Sequence, residues 1–310
     1  MRRRTFIGSV FSGLSLTGAY ARPPKPRAGD IPKREFGRTR EMLTVVGPGG
    51  ARFDLMRTIE EAAKRVKEAY ELGVNYFDCA HSYWDGHSEE VYGVALSGVR
   101  KEVFITSKTT VRTAVEAEVE LDLSLRRMRT DYLDLWQIHG VENQEEVDKI
   151  FGPGGAIEAF ESAKRKGKCR FIGFTGHRDP AVHLEMMNRY REFDSILMPL
   201  HAADSAYLSF EKNVLPVAVQ YGLGIQAMKV FGNAFLLRSL NSRECLEYVL
   251  SLPIHCATLG YTTSGQLHDD IRTAQRFHPL TQERMQELRE LAPKGNGSLT
   301  GPALEYWKRS

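Results

Sequence analysis

Between about residue 43 and residue 275 the chain alternates between two hydrophobic rhythms. One is a short, continuous apolar run rich in β-branched and aromatic residues; the other returns every three to four positions. The short runs predict strands at 43–47, 74–79, 103–108, 132–139, 169–176, 195–201, 224–231 and 255–260. Runs that are apolar at every position belong to parallel strands covered on both faces. The longer segments predict helices. Residues 58–72 set Ile59, Ala62, Ala63, Val66, Ala69 and Tyr70 on one face. Segments 113–128, 156–166, 180–190, 210–220, 242–252 and 264–274 follow the same period. Gly73, Gly167 and Gly222 fall where helices end, and Pro180 where a helix can begin.

Eight such strand–helix units predict an α/β fold, a single-domain (β/α)8 TIM barrel, which typically needs about 250 residues. A doubly wound sheet is the competing architecture. It would carry G-x-G-x-x-G after its first strand, and Gly47-Pro48-Gly49-Gly50 does not fit that pattern.

In a barrel the carboxyl ends of the strands converge on one mouth, where chemistry is placed. There the sequence puts Asp78, Tyr83 just beyond it, Lys108, His139, Thr175 with His177, His201 and Lys229. Each alone also reads as a solvated lysine, a satisfied histidine or a packing tyrosine. Ionisable groups ending several consecutive apolar strands are costly to bury without a purpose, so together they predict a site. A tyrosine with a pKa near 10 exchanges protons poorly at neutral pH, and an adjacent ammonium favours its phenolate. A carboxylate would hold that ammonium, and a neutral histidine could orient a carbonyl oxygen. Asp78, Lys108, Tyr83 and His139 therefore suit protonation of an oxygen while a hydride reaches its carbon. None of them can supply the hydride, so a nicotinamide cofactor is implied.

Composition narrows the picture little. The apolar share, 42%, is ordinary for a globular protein. The net charge of +3 is carried by Arg2, Arg3 and Arg4, so the rest of the chain is neutral. No basic stripe points to nucleic acid. Cys79, Cys169, Cys245 and Cys256 lack metal-type spacing, and Cys79, Cys169 and Cys256, in or beside predicted strands, are expected as buried, inert thiols. The start, Arg3-Arg4-Thr5-Phe6, leads through a weakly apolar Ser/Gly run to Ala19-Tyr20-Ala21. That is the layout of a twin-arginine export signal over 1–21, too short and polar to span a bilayer. A proline-rich linker at 22–32 would join it to a barrel over 33–310, and the mature protein would be periplasmic; a vestigial signal would leave it cytoplasmic.

Several stretches resemble the aldo-keto reductases. Phe77-Asp-Cys-Ala-His-Ser-Tyr83, with Ser88-Glu89 and Gly93, is similar to the family's tyrosine motif, and Val103-Phe-Ile-Thr-Ser-Lys108 to its lysine strand. Residues 125–139, ending in Asp134-Leu-Trp-Gln-Ile-His139, and 167–177, Gly-Lys-Cys-Arg-Phe-Ile-Gly-Phe-Thr-Gly-His, match two more. The resemblance runs in order from about Ile31 to Phe277. With the export signal and the Ala227-Met-Lys-Val-Phe-Gly232 turn, the chain looks like a bacterial subgroup of predicted oxidoreductases. The resemblance implies Tyr83 as general acid, Lys108 tuning it, Asp78 anchoring Lys108 and His139 orienting a small carbonyl substrate. It also implies NADP(H), rather than NAD(H), held by Thr175, Gly176, Met228, Lys229, Phe231, Gly232, Gln266 and Asp270. Several of these depart from the family pattern. Thr175-Gly176 stands for Ser-Asn, Leu197 for Gln, Met228-Lys229 for an aromatic and Ser, Gln266 for the Arg of NADP-preferring members and Asp270 for Asn. The C-terminal stretch 296–310, with Tyr306 and Trp307, is placed to fold back over the barrel.

A monomer or weak oligomer is expected, with no membrane contact after signal removal. Two rivals compete with carbonyl reduction: a nicotinamide-binding barrel without turnover, and a metal-dependent hydrolase using His81, His139, His177 and His201 with Asp78.

Overall fold

The computed structural model describes residues 29–293 and 303–308; the arginine-led signal lies outside the described residues. Eight parallel strands form the expected barrel: β3 (Val46–Pro48), β4 (Tyr76–Asp78), β5 (Phe104–Thr109), β6 (Leu133–Ile138), β7 (Cys169–Thr175), β8 (Ser195–Pro199), β9 (Gly224–Met228) and β10 (Cys256–Leu259). Hydrogen bonding runs β3-β10-β9-β8-β7-β6-β5-β4, with every pair parallel. A single bridge, Gly49 to Asp78, joins β3 to β4 at the mouth and closes the ring. The glycines of 47–50 serve this closure. A Cβ on Gly47 would stand 2.2 Å from the Tyr76 carbonyl oxygen, and one on Gly49 2.8 Å from Thr258.

The predicted first strand straddles two elements. Leu43 and Thr44 belong to β2 (Met42–Thr44), which pairs antiparallel with β1 (Lys33–Glu35). Their hairpin plugs the lower end of the barrel with Phe36, packed against Leu43, Tyr76, Phe104, Leu135 and Cys256. Its turn fits only glycine. Gly37 has φ +53° and approaches so closely that a Cβ would lie 2.4 Å from the Gly224 nitrogen. Such a plug works because the barrel interior is packed core and not a pore.

Helices wrap the outside as expected, with two differences. The predicted 210–220 helix is split into Phe210–Asn213 and Leu215–Gln220, because Pro216 cannot continue the backbone ladder. Helices Gln144–Phe151 and Gln282–Leu291 were not predicted. Among the described residues no helix is long and apolar enough to cross a membrane. Cys79, Cys169 and Cys256 are buried as expected, and Cys245, on a helix, is buried as well.

Candidate active site

Register brings the first two groups together. β4 pairs with β5 so that Asp78 faces Thr106, two residues before Lys108. Lys108 Nζ lies 2.8 Å from Asp78 Oδ2 and donates to the Cys79 carbonyl at 2.5 Å. The Thr106 hydroxyl donates to Asp78 Oδ1 at 2.8 Å. Both charged side chains are buried, so the pair is orientationally fixed. Burial works against the Lys108 ammonium, but Asp78 and Tyr83 outweigh it and its pKa is raised.

Tyr83 opens a tight turn, Tyr83–Gly86, in which Trp84 (φ 48°), Asp85 (φ 52°) and Gly86 (φ 93°) are all left-handed. Two consecutive non-glycine residues in that region store strain, which folds tolerate mainly where geometry matters. Glycine suits position 86 because its φ of 93° is one that residues with a side chain rarely adopt. The turn sets the Tyr83 ring edge-on to the His139 imidazole, with centroids 5.5 Å apart, and 4.9 Å from Lys108 Nζ. Burial raises the phenol's pKa and Lys108 pulls the other way; the net shift is upward. Tyr83 therefore carries its proton at neutral pH.

His139 follows the last residue of β6, held through its backbone by Thr109 and Arg112. Burial, then Lys108, press its pKa well below the ordinary value, so the ring is neutral. Its Nδ1 has no hydrogen-bond partner among the described residues. All four expected catalytic residues thus meet at one corner.

That corner opens into a cleft of about 670 Å³, within the range of small-molecule sites. Of the expected cofactor residues, Thr175, Met228, Lys229, Phe231, Gln266 and Asp270 line it; Gly176 and Gly232 do not. Gly176 packs instead against the Val141 carbonyl and the His183 ring, where a Cβ would lie 2.5 and 2.7 Å away. Gly232 donates its N–H to the Lys229 carbonyl at 2.7 Å and closes the turn that carries Phe231. Strand β9 stops at Met228, short of the predicted residue 231, because Lys229 takes φ 58°. Gln266 stands third in helix Ser264–Gln275 and completes a capping box with Thr263, so its side chain is committed to the helix start. Burial, then Asp269, push Asp270 up to about 7.

Sequence reasoning missed Arg52, which lines the same cleft from the loop after β3. Burial, then Arg52, lower Lys229 to about 8. Neither cation has a carboxylate partner among the described residues. Two unpaired cations in one cleft are a donor set for a pyrophosphate, and in that respect the residues present fit a nicotinamide dinucleotide.

Other motif residues hold the scaffold. Buried Glu89 accepts from Ser107 at 2.6 Å and pairs with Arg127 at 3.3 Å; the Ser88 hydroxyl donates to the Gly50 carbonyl. Gly93 lets its helix meet Arg127, whose carbonyl oxygen would be 2.2 Å from a Cβ. The histidines considered for metal do not assemble around Asp78. Among the described residues the one grouping close enough is His201, Asp204 and Glu305, and the Lys308 ammonium already bridges its two carboxylates. A second cavity, at the plugged end, holds Arg34 and His255. Both are spent on backbone partners, Arg34 on the Ile254 and Leu250 carbonyls and His255 on the Ile225 N–H.

Comparison with known proteins agrees with the barrel fold. The Aldo/keto reductase family model matches residues 46–310. The uncharacterized oxidoreductase YqkF of Bacillus subtilis is 30% identical over 162 residues, 48% of this chain and 50% of that protein. The chain spans about half the length of the curated relatives that it matches first. Among solved structures, the holo form of aldo-keto reductase AKR11C1 from Bacillus halodurans superposes with a TM-score of 0.73 at 24% identity, covering 84% of this chain and 96% of that one. An aldo-keto reductase from Klebsiella pneumoniae in complex with NADPH gives 0.68 at 20% identity, covering 85% and 95%.

Proposed function

This chain belongs to the aldo/keto reductase family, and we propose that it is an NAD(P)H-dependent oxidoreductase that reduces an aldehyde or ketone to the alcohol. The observation that carries the proposal is the buried Lys108–Asp78 pair, 2.8 Å apart, set beneath a protonated Tyr83. When bound, a reduced nicotinamide supplies the hydride. This chain's residues do the rest. Neutral His139 donates a hydrogen bond that orients the substrate oxygen toward Tyr83. Tyr83 gives its hydroxyl proton to that oxygen, and Lys108 stabilises the phenolate left behind. Asp78 keeps Lys108 charged and in place. Thr175, Met228, Lys229 and Arg52 would hold the dinucleotide along the cleft. NADP(H) over NAD(H) is supported by family habit, whereas Gln266 offers no cation for a 2′-phosphate; the relative affinities for NADPH and NADH decide it.

Stopped-flow mixing with NADPH and a generic aldehyde tests the assignment. Tyr83→Phe should cut turnover at least about a hundredfold, the usual scale of general-acid loss, with cofactor affinity nearly unchanged. Unaltered turnover in that variant overturns the role of Tyr83. One observation favours a second reading, a barrel that binds nicotinamide without turnover: apolar Leu197 and side-chain-less Gly176 leave Thr175 as the carboxamide partner. Binding without any hydride transfer would select it. The Arg3-Arg4-Thr5-Phe6 start supports export, with the barrel delivered folded to the periplasm. Fractionation of cells producing the full chain, with Arg3 and Arg4 replaced by Lys as control, tests that placement.

A further inference from the structure

The six residues 303–308 bury two charged side chains completely. The Lys308 ammonium lies 2.8 Å from Asp204 Oδ1 and 2.6 Å from Glu305 Oε1, and donates to the Tyr207 carbonyl at 2.6 Å. Glu305 Oε1 is also 3.2 Å from Nε2 of His201, in the loop after β8. Asp204 is itself fixed, accepting from the Ser209 hydroxyl at 2.9 Å and the Glu211 N–H at 2.8 Å. A buried ion pair adds little net stability, but separating its partners leaves a buried charge uncompensated. The tail is thus fixed in register.

Trp307 sits between these anchors. Its ring lies 4.7 Å beneath Lys229 Nζ and edge-on to His201 at 5.8 Å, and its backbone hydrogen-bonds His177. The neighbouring Tyr306 hydroxyl accepts from Asn233 at 2.9 Å, in the turn that carries Lys229. The tail therefore touches the loops after β7, β8 and β9. Lys229 is half-buried, strained at φ 58° and without a carboxylate partner among the described residues. Among those residues, the electron-rich face set against its ammonium is the indole of Trp307.

We propose that Trp307 is a positioning residue. It holds the Lys229 ammonium in the cleft to meet the anionic part of the dinucleotide, and Glu305 and Lys308 fix Trp307 in place. This rests on the dinucleotide-binding reading above. In this arrangement the end of the chain completes an anion subsite that the barrel alone leaves unsupported.

The test is NADPH titration of the purified full chain at two salt concentrations, with a double-mutant cycle. Trp307→Leu keeps apolar bulk and removes the ring; Trp307→Phe restores a ring. Trp307→Leu should weaken NADPH binding about threefold to tenfold, the range of a partly desolvated cation–π contact. It should also flatten the salt dependence, with kcat at saturating NADPH falling less than about twofold on the same scale. Trp307→Phe should recover most of the affinity. In a Lys229→Met background, Trp307→Leu should add nothing, because its effect passes through that ammonium. An equal loss in both backgrounds, or no loss in either, overturns the proposal. Failure of the wild-type protein to bind any nicotinamide dinucleotide overturns the functional reading itself.

Discussion

Asp78→Asn keeps the shape of the side chain at the end of β4 and removes one charge. Asp78 and Lys108 lie 2.8 Å apart with side chains at most 2% exposed, so the ammonium left behind is neither paired nor hydrated. Orphaning a buried charge costs about 3–5 kcal/mol. At roughly 2–4 °C per kcal/mol for a domain of this size class, thermal unfolding should move down by about 10 °C. Lys108 has a second response. Burial already opposes its charge, and Asp78 does the most to sustain it, so the variant lysine should lose its proton at lower pH. Tyr83 would then lack the cation that stabilises its phenolate, and single-turnover hydride transfer should fall at least about a hundredfold. The sign of the pH dependence follows from the raised Lys108 value. Stability from a raised lysine is fully present below its ordinary value of 10.5 and lost only as pH rises through the higher folded value. The wild-type contribution should therefore stay level from about pH 6 to 9, while the gap in melting temperature to the variant should narrow as pH rises and the orphaned lysine loses its proton. Adding Lys108→Met to Asp78→Asn should recover much of the stability, because no buried ammonium remains, and none of the turnover. A single variant with wild-type melting and wild-type turnover would refute the reasoning, as would a double variant less stable than the single.

Asp270, pushed up to about 7 by burial and then Asp269, makes a second test. A carboxyl with a raised folded value contributes stability below its ordinary pKa and loses it as pH rises through about 7. Asp270→Asn should be more stable than wild type by a margin that is larger at pH 8 than at pH 5, growing by about 2–4 kcal/mol between them; equal shifts at both pH values would exclude a buried ionising carboxylate. Gln266→Arg should improve NADPH affinity relative to NADH about tenfold, read from paired titrations, since a guanidinium favours a phosphate over a hydroxyl. An unchanged ratio would place the 2′-position elsewhere.

The catalytic corner was legible because strand-end position is written in local pattern. Apolar runs ending in Asp78, Lys108 and His139 can meet only at the mouth once the barrel is assumed. The first strand was misphased because 43–47 is one apolar run, yet the Pro32 carbonyl takes the Val45 N–H and hands Leu43 and Thr44 to the hairpin. The end of β9 was overrun because nothing in Met228-Lys229-Val230 announces a left-handed lysine. Arg52 and the Glu305–Lys308 network were invisible for a different reason. Their partners lie far away in the chain, and a buried charge looks in sequence like any surface charge. The spacing of Ser88, Glu89 and Gly93 was visible, but only the packing shows that these residues serve the scaffold.

The ring of strands is fastened at one place by one residue pair, and half of that pair is the aspartate of the reactive corner. The clasp of the barrel and the anchor of Lys108 are the same few atoms of backbone and side chain. A methyl group added at Gly49, on the wall of the cleft, would press on Thr258 at the rung that holds Asp78. In a screen for activity such a variant would pass for an active-site mutant. The wall of this vessel and its working part cannot be inherited separately.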